Sequence, residues 1–319
     1  MVTALGEILI DYTPKGISEN GMQLFEQNAG GAPANVLSVV AKCGAKAAFI
    51  GKVGNDMQGL FLKQTLEKSR IKTSNLIIDD KYFTTLAFVT LGENGERSFA
   101  FARKPGADTK LTKDEVKSEI LEKSKIFHFG SLSLTHEPAA SATLYAIKKA
   151  KKMGSLISYD PNYRAPLWES EEIAKQKMKS VIKYVDIMKV SDEETVLLTG
   201  ETDPQKACEN LIAQGVRLVV VTLGDKGAFV MGEAGTAFVP SFTPTCVKDT
   251  TGAGDAFWGG FLYRIHESTL GFENLTLKKL EEYTRFANAV ASLCIEKYGA
   301  IPAMPSVDKV LKRIKENAN

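Results

Sequence analysis

The chain has 319 residues, of which 44% are apolar, 24% are charged and 26 are glycine, and this composition excludes collagen-like and intrinsically disordered proteins. Forty basic residues against 38 acidic ones leave a net charge of +2 without a basic block, so nucleic acid is not an expected partner. The length alone permits two small domains or one large α/β domain.

The N-terminus predicts a strand rather than a targeting segment. Residues 1–7 are mostly apolar and lack the charged and apolar regions of a secretory signal. The sequence contains no run of eighteen apolar residues, so we expect no membrane partner. We therefore expect a cytoplasmic location.

The cysteines do not indicate a metal or disulfide framework. They are widely separated, form no CxxC pair, and have only three histidines as co-ligands. We expect buried free thiols at the four cysteine positions, 43, 208, 246 and 294. His128 is expected to be a hydrogen-bonded strand-end histidine rather than a catalyst.

The dominant pattern is an alternation of strands and helices. Apolar runs at 47–50, 126–129, 156–159, 185–190 and 218–223 alternate with helical-period segments such as 139–153. Strands that are apolar on both faces and separated by helices indicate parallel pairing. The sequence predicts an α/β fold with a doubly wound, mainly parallel sheet flanked by helices.

Two segments interrupt this pattern, at about 11–28 and 82–103. In the second, Asn94 and Gly95 lie between β-rich runs at 84–91 and 97–102, which predicts a hairpin because both turn residues tolerate positive φ. No Pro/Gly-rich linker divides the chain. We therefore expect one domain over residues 1–319, with these segments forming a small β-sheet lid. An exposed lid sheet leaves open a monomer or a homodimer that pairs through the lid.

The N-terminal part offers candidates for hydroxyl recognition. Asp11 is expected to end the first strand, at the edge where α/β folds present ligand contacts, although a plain turn residue gives the same pattern. Gly30 and Gly31 precede a helical pattern at 36–43 and permit close approach of a ligand. Asn35 offers a donor and an acceptor to a hydroxyl, or it belongs to a plain turn.

Two arginines are candidates for binding a polar substrate. Arg103 follows the second lid segment, and Arg164 follows the strand at 156–159. A guanidinium can bind sugar hydroxyls, a sugar-acid carboxylate or a phosphate. An arginine that binds no substrate would be a solvated charge on the protein surface.

The segment 249–257, DTTGAGDAF, carries the strongest chemical signal. Gly252, Ala253 and Gly254 can turn their N–H groups towards one point at the start of a helix, which makes an anion hole. Asp255 can then accept the proton of a substrate hydroxyl, while the amides stabilise a transferred phosphoryl group. A glycine-rich turn with an aspartate as helix cap remains the alternative.

This segment resembles the C-terminal signature of PfkB-type carbohydrate kinases, the ribokinase-like family. Residues 30–35, GGAPAN, and 51–59, GKVGNDMQG, resemble the N-terminal signature of the same family. The resemblance implies a ribokinase-like fold, Asp255 as general base, ATP phosphates at the 252–254 turn, and a sugar held by Asp11 and Asn35.

The resemblance also implies positions for ATP and cations. Ser191 and Glu194 resemble the family's NxxE motif, in which the glutamate organises Mg²⁺ through water; here Ser191 replaces the asparagine, and a first helical turn is the alternative. The remaining positions are Thr222, Gly224 and Gly227 for the nucleotide, Asn288 for adenine, and Asp249 and Thr251 for a monovalent cation. Whether K⁺ binds is left open.

Three segments, 101–108, 127–134 and 159–168, resemble those of fructokinases. The resemblance thus implies transfer of the ATP γ-phosphate to the 6-hydroxyl of D-fructose. Because DPNYR-type runs also occur in 2-keto-3-deoxygluconate kinases, that activity and ribokinase remain alternatives. A non-catalytic sugar sensor is the alternative of another class, and the missing GxGxxG disfavours an oxidoreductase.

Overall fold

The computed structural model describes residues 1–91 and 97–317, with the backbone alone at strand residues 90, 91 and 97–99. The described strands are β1 Val2–Leu5, β2 Leu9–Ile17, β3 Gln23–Gly30, β4 Ala47–Gly54, β5 Ile71–Asp79, β6 Leu86–Leu91, β7 Arg97–Ala102, β8 Ile126–Phe129, β9 Leu156–Tyr159, β10 Ile187–Ser191, β11 Leu218–Thr222, β12 Gly227–Gly232 and β13 Gly235–Pro240. The helices are α1 Ala32–Lys42, α2 Met57–Lys68, α3 Ser118–Glu122, α4 Ala139–Lys152, α5 Glu171–Ile182, α6 Asp192–Thr199, α7 Pro204–Ala213, α8 Ala253–Glu267, α9 Leu277–Cys294 and α10 Val307–Glu316.

The large sheet confirms the predicted doubly wound α/β fold. Its strand order is β13-β12-β11-β10-β9-β8-β1-β4-β5, and the pairing from β11 to β5 is parallel. At the other edge, β12 pairs antiparallel with both β11 and β13. Since the chain runs outward in both directions from β1, the strand order reverses between β1 and β8, and such folds bind ligands outside the carboxyl ends of the strands near such a point.

Both faces of this sheet are covered. In β11 the side chains of Val219 and Val221 pack into one buried apolar cluster, whereas Leu218 and Val220 pack into another on the opposite face. This explains why the strand sequences are continuously apolar rather than alternating. Among the described residues no helix is long and apolar enough to cross a membrane.

The two interrupting segments form a separate four-stranded sheet. Its order is β3-β2-β6-β7, in which β2 pairs antiparallel with β3 and parallel with β6, and β6 pairs antiparallel with β7. The predicted turn at Asn94 and Gly95 lies outside the described residues. Tyr12, Phe25 and Phe88 form an aromatic cluster on one face of this small sheet.

Three local expectations were wrong. Asp11 does not end the first strand: a bend at Gly6, which packs against Pro33, divides the apolar run, and Asp11 lies within β2 of the small sheet. Helix α1 begins at Ala32 rather than at 36, because Pro33 fits the first turn of a helix, where its missing N–H is not needed. Of the four cysteines, three are buried, but Cys246 is exposed.

Candidate active site

The site is centred on Asp255, which lies in the first turn of α8 and is only 6% exposed. Its two carboxylate oxygens accept hydrogen bonds from different parts of the chain. The amide of Asn35, near the start of α1, donates to Oδ2 at 2.8 Å. The amide of Asn162, three residues after β9, donates to Oδ1 at 2.7 Å. The carboxylate is therefore fixed in orientation before any substrate binds.

The surroundings of Asp255 act on its proton affinity in both directions. Burial raises the pKa of Asp255 above its usual value. Hydrogen bonds from Asn35 and Asn162, and the positive charges of Lys189 and Arg164, oppose this shift. A buried carboxylate with a raised pKa suits a general base, because it takes up a proton more readily than an exposed one.

The predicted glycine turn precedes this carboxylate. Gly252 has φ 76° and is the N-cap of α8, and a Cβ atom there would lie 2.8 Å from Cβ of Ala300, so only glycine fits. The N–H of Ala253 donates to the carbonyl of Thr250. The N–H groups of Gly254 and Asp255 lie in the first helical turn, which offers no carbonyl acceptor, and the helix dipole favours an anion beside them.

A cavity of about 320 Å³ adjoins this turn. It brings together residues from three parts of the sequence: Asn162, Arg164, Lys189, Ser191, Glu194, Thr250, Thr251, Gly252, Ala253, Gly254 and Asp255. The predicted general base, the predicted anion hole and the predicted cation ligand Glu194 therefore face one space. The cavity is lined mainly by polar and charged groups, which suits phosphates rather than an apolar ligand.

The hydroxyl-binding candidates lie next to this space. The Asp11 carboxylate lies against Gly30, where a Cβ atom would come within 2.0 Å of Oδ2. Burial raises the pKa of Asp11 to about 7, Arg164 opposes the shift, and Asp255 adds to it. Gly31 has φ 110°, and its Cβ would lie 2.5 Å from the carbonyl oxygen of Glu7. The two glycines thus permit β2 and the start of α1 to approach closely.

The two arginines have different environments. Arg164 is exposed and lines the cavity, and its charge acts on both Asp11 and Asp255. Arg103 is buried: it forms an ion pair with Asp108 at 2.7 Å and donates to the hydroxyl of Thr135 at 2.9 Å and the carbonyl of Leu132 at 3.0 Å. Its guanidinium is thus held by partners within the protein, and the substrate contact of Arg103 stays a prediction.

The serine and glutamate of the NxxE-like motif form a capping box at the start of α6. The hydroxyl of Ser191 accepts from the N–H of Glu194, while Oε2 of Glu194 accepts from the N–H of Ser191. Oε1 of Glu194 accepts from the N–H of Tyr163 at 2.8 Å. Each carboxylate oxygen has a second lone pair, so these contacts are compatible with binding Mg²⁺ through water from the same cavity.

The other predicted nucleotide contacts lie at the end of the large sheet. Thr222 ends β11, and Gly224, with φ 59°, and Gly227, with φ 126°, flank the turn into β12. Asn288 is 4% exposed and donates both amide hydrogens to the carbonyls of Val239 and Pro240. The amide nitrogen of Asn288 thus anchors β13, and the contact of Asn288 with adenine stays a prediction.

The candidate monovalent-cation residues belong to an ordered loop. Asp249 Oδ1 accepts from the N–H of Thr251 and Oδ2 from the N–H of Gly299, both at 2.9 Å. No cluster of three or more His, Cys, Asp or Glu side chains with metal-binding geometry occurs in the described part of the chain. A monovalent cation at this loop would thus depend on backbone carbonyl and hydroxyl oxygens together with Asp249.

Sequence reasoning missed four residues near this site. Asn162 lies within the 159–168 segment but was given no role, and its φ of 46° marks a special backbone position. Lys189 and Asp160 form a buried ion pair at 2.9 Å, which a lysine inside an otherwise apolar strand could have signalled. Glu7 is 3% exposed, and its Oε1 accepts the N–H of Ala32 at the start of α1. His128 bonds Ser158 and, as expected, is a satisfied buried histidine.

Comparison with known proteins matches this geometry to one family. The pattern of the pfkB family carbohydrate kinase matches residues 1–307. Fructokinase-2 of Oryza sativa subsp. japonica is 42% identical over 322 residues, which cover 100% of this chain and 95% of that protein. The probable fructokinase-5 of Arabidopsis thaliana is 41% identical, with 100% and 98% of the two chains covered.

Two solved structures that resemble this chain are also fructokinases. The fructokinase from Xylella fastidiosa with bound ATP has a TM-score of 0.92 and 31% identity, with 100% of this chain and 99% of that chain covered. The fructokinase from Vibrio cholerae O395 in its fructose, ADP and calcium ion bound form has a TM-score of 0.87 and 32% identity, with 98% and 99% covered.

Proposed function

Because this chain belongs to the pfkB family of carbohydrate kinases, we propose that it is an ATP-dependent fructokinase that phosphorylates the 6-hydroxyl of D-fructose. The observation that carries the proposal is the position of Asp255. Its carboxylate is buried at the start of α8, its two oxygens accept hydrogen bonds from Asn35 and Asn162, and it lies beside a glycine turn at a helix N-terminus, which suits an anion. A base and an anion hole in one cavity are what transfer of a phosphoryl group to an alcohol requires.

The reaction then follows from the geometry. The sugar hydroxyl gives its proton to Asp255 while its oxygen forms a bond to the γ-phosphorus of ATP. The bond from that phosphorus to the bridging oxygen breaks, and its electron pair leaves with ADP. The N–H groups of the 252–254 turn, apart from that of Ala253, which donates to Thr250, stabilise the negative charge on the transferred group.

The sugar lies, on this proposal, between the large sheet and the small sheet. Asp11 and Asn35 bind its hydroxyls, Gly30 and Gly31 permit close approach, and Arg164 at the cavity edge contacts substrate or phosphate. The small sheet acts as a lid that excludes water, because a water molecule beside Asp255 would compete with the hydroxyl and waste ATP. Hydrogen exchange in β6 and β7 should therefore slow when fructose saturates the protein, and unchanged exchange would argue against lid closure.

Cations complete the proposed site. Glu194 would hold Mg²⁺ through water, and that ion, when bound, neutralises charge on the phosphates. Asp249 and Thr251 remain candidates for a monovalent cation such as K⁺. Thr222, Gly224 and Gly227 remain the proposed nucleotide contacts. A monomer and a homodimer that pairs through the small sheet both remain compatible with the exposed strand edges.

A panel of sugars tests the proposal directly. ATP consumption is measured with fructose, ribose and 2-keto-3-deoxygluconate, and the Asp255→Asn variant, purified in parallel, controls for contaminating kinases. We expect the highest kcat/KM with fructose. A higher kcat/KM for ribose or the sugar acid would reassign the substrate, and the absence of sugar-dependent ATP consumption would favour a non-catalytic sugar-binding protein.

A further inference from the structure

A lysine lies buried under the glycine turn, and the reaction described above does not use it. Lys189 is the third residue of β10, between Met188 and Val190, and is 5% exposed. Lysine is almost never this buried unless it is paired, because removing an ammonium from water is costly. A lysine retained inside an apolar strand therefore calls for a partner and a role.

The partner is Asp160, the residue that follows β9. Nζ of Lys189 lies 2.9 Å from Oδ2 of Asp160, and both side chains are more than nine-tenths buried. Oδ1 of the same carboxylate accepts the N–H of Asn162 at 3.2 Å. Asp160 thereby fixes Lys189 with one oxygen and, with the other, fixes the loop whose amide holds Asp255.

The ammonium also reaches the cavity beside the glycine turn. Lys189 lines that cavity, and Nζ lies 3.2 Å from the position that a Cβ atom at Gly254 would occupy. Gly254 therefore leaves the space through which the ammonium can approach a ligand at the turn. Lys189 thus lines the same cavity as the helix N-terminus at residues 252–255, where N–H groups and the helix dipole favour an anion.

The charges around Lys189 keep it protonated. Burial lowers its pKa, but the carboxylates of Asp160, Glu194 and Asp255 more than reverse that effect, so the pKa lies above the usual value for lysine. The groups that act on Lys189 or Asp255 are Asp11, His128, Asp160, Arg164, Glu194 and Cys294. His128 is neutral, because burial lowers its pKa to about 3. The ammonium is therefore a fixed positive charge at neutral pH.

We propose that Lys189 is a catalytic residue whose ammonium contacts the transferred phosphoryl group, and that Asp160 is its positioning residue. This inference rests on the proposed kinase function. Charge on the phosphoryl oxygens must be neutralised during transfer, and a cation already fixed in a dry site does this without reorganisation. Lys189 reaches the cavity from β10, whereas Asp255, which takes the proton, reaches it from the start of α8.

The test compares Lys189→Met with wild type, and Lys72→Met, an exposed strand lysine, is the matched control. We expect Lys189→Met to lower kcat about 100-fold or more and to leave the KM for fructose within about threefold. Aluminium fluoride, bound together with ADP and fructose, mimics the transferred phosphoryl group. The affinity of Lys189→Met for this combination should fall by a factor similar to that in kcat. Lys72→Met should match wild type in every measurement.

A double variant tests whether Lys189→Met is slow only because it misfolds. Lys189→Met leaves the Asp160 carboxylate buried without its cation, so Lys189→Met/Asp160→Asn removes both charges together. We expect the double variant to fold with a wild-type circular dichroism spectrum and to remain as slow as Lys189→Met. A double variant that recovers wild-type kcat would overturn the inference, because neutralising Asp160 would then be the lysine's entire role.

The same assays separate this inference from the proposed function. Wild-type turnover of fructose tests the proposed function, and wild type that consumes no ATP with any sugar overturns both. If wild type is active and Lys189→Met keeps kcat within about threefold, only the role of Lys189 is wrong. If Lys189→Met lost fructose affinity by the same factor as kcat, this result would also contradict a contact between Lys189 and the phosphoryl group.

Discussion

The side-chain nitrogen of Asn35 lies 2.8 Å from Oδ2 of Asp255, although 220 positions separate the two residues. Asn35 lies near the start of α1 and Asp255 near the start of α8, and these two helices pack against each other. The contact joins the part of the site proposed for sugar to the part proposed for phosphate. The position of the base therefore depends on a residue expected to bind the acceptor.

Replacing the proposed base tests the reaction most directly. Asparagine keeps the shape of Asp255 but cannot accept the hydroxyl proton, so we expect Asp255→Asn to lower kcat by about 1000-fold. Fructose affinity, measured by calorimetry, should stay within a few-fold of wild type. Asp308→Asn, at an exposed position at the start of α10, should have wild-type activity. Near-normal turnover by Asp255→Asn would discard the mechanism.

The pH dependence of the enzyme follows from the raised pKa of Asp255. Because only the ionised carboxylate accepts a proton, kcat/KM should fall as the pH drops through this pKa, above the usual aspartate value of about 3.9. The measurement is kcat/KM for fructose from about pH 4 to about pH 9. Burial raises the pKa of Asp11 to about 7, so this carboxylate also titrates within the measured interval, and Asp11→Asn removes its contribution. A profile that stays flat down to the usual aspartate value would contradict a buried base.

The amide of Asn162 should hold Asp255 in its ionised form. Removing a donor from a buried carboxylate raises its pKa, so Asn162→Gly should lower kcat/KM about tenfold and move the acid limb to higher pH. Asn162→Ala should have the same kinetics but lower stability, by about 1 kcal/mol, because φ is 46° and alanine is strained there. Thermal unfolding separates the two effects. An unchanged acid limb in both variants would show that Asn162 only shapes the loop.

A single methyl group at Gly30 should displace the proposed sugar carboxylate. Its Cβ would come within 2.0 Å of Oδ2 of Asp11, so the carboxylate must move. We expect Gly30→Ala to raise the KM for fructose at least about tenfold, with a smaller effect on kcat. Asp11→Ala, which removes the carboxylate, should raise KM at least as much. A normal KM in both variants would place the sugar elsewhere.

The buried Glu7 should make stability depend on pH. Burial raises its pKa from 4.5 to about 7. The stability that comes from protonated Glu7 is fully present below 4.5, the pKa of this residue in the unfolded chain. It is lost as the pH rises through the folded-state pKa of about 7. Glu7→Gln does not titrate, so its stability relative to wild type should increase by about 3 kcal/mol over that interval. Denaturant unfolding on both sides of the interval measures this, with exposed Glu19→Gln as control; a pH-independent difference would contradict a protonated Glu7.

The sequence predicted the parts of the fold that depend on local pattern. The strands at 126–129 and 156–159 have the predicted bounds because each run of strand-forming residues ends directly before Gly130 or Asp160, neither of which favours a strand. Asp11 was misplaced because β1 and β2 read as one apolar run, and the bend at Gly6 depends on packing against Pro33, a contact between distant positions. The small sheet was predicted because its two segments break the alternation of strands and helices.

The site was predictable where one short segment supplies it, as at Gly252, Gly254 and Asp255. It was not predictable where partners come from elsewhere in the chain. Arg103 looked available for a substrate, but its partner Thr135 lies 32 positions away. Asn288 likewise bonds carbonyls 48 and 49 positions away. A polar residue's partners decide whether its donors remain available to a ligand, and the sequence does not display them.

The loop at Asp249 carries a consequence for synthesis of the protein. Its carboxylate accepts the N–H of Gly299, and the neighbouring Ala300 packs beside Gly252 at the turn before the base. The groups around Asp255 thus span the chain from Asp11 to Ala300. A ribosome must therefore translate the chain beyond residue 300 before all of these contacts can form.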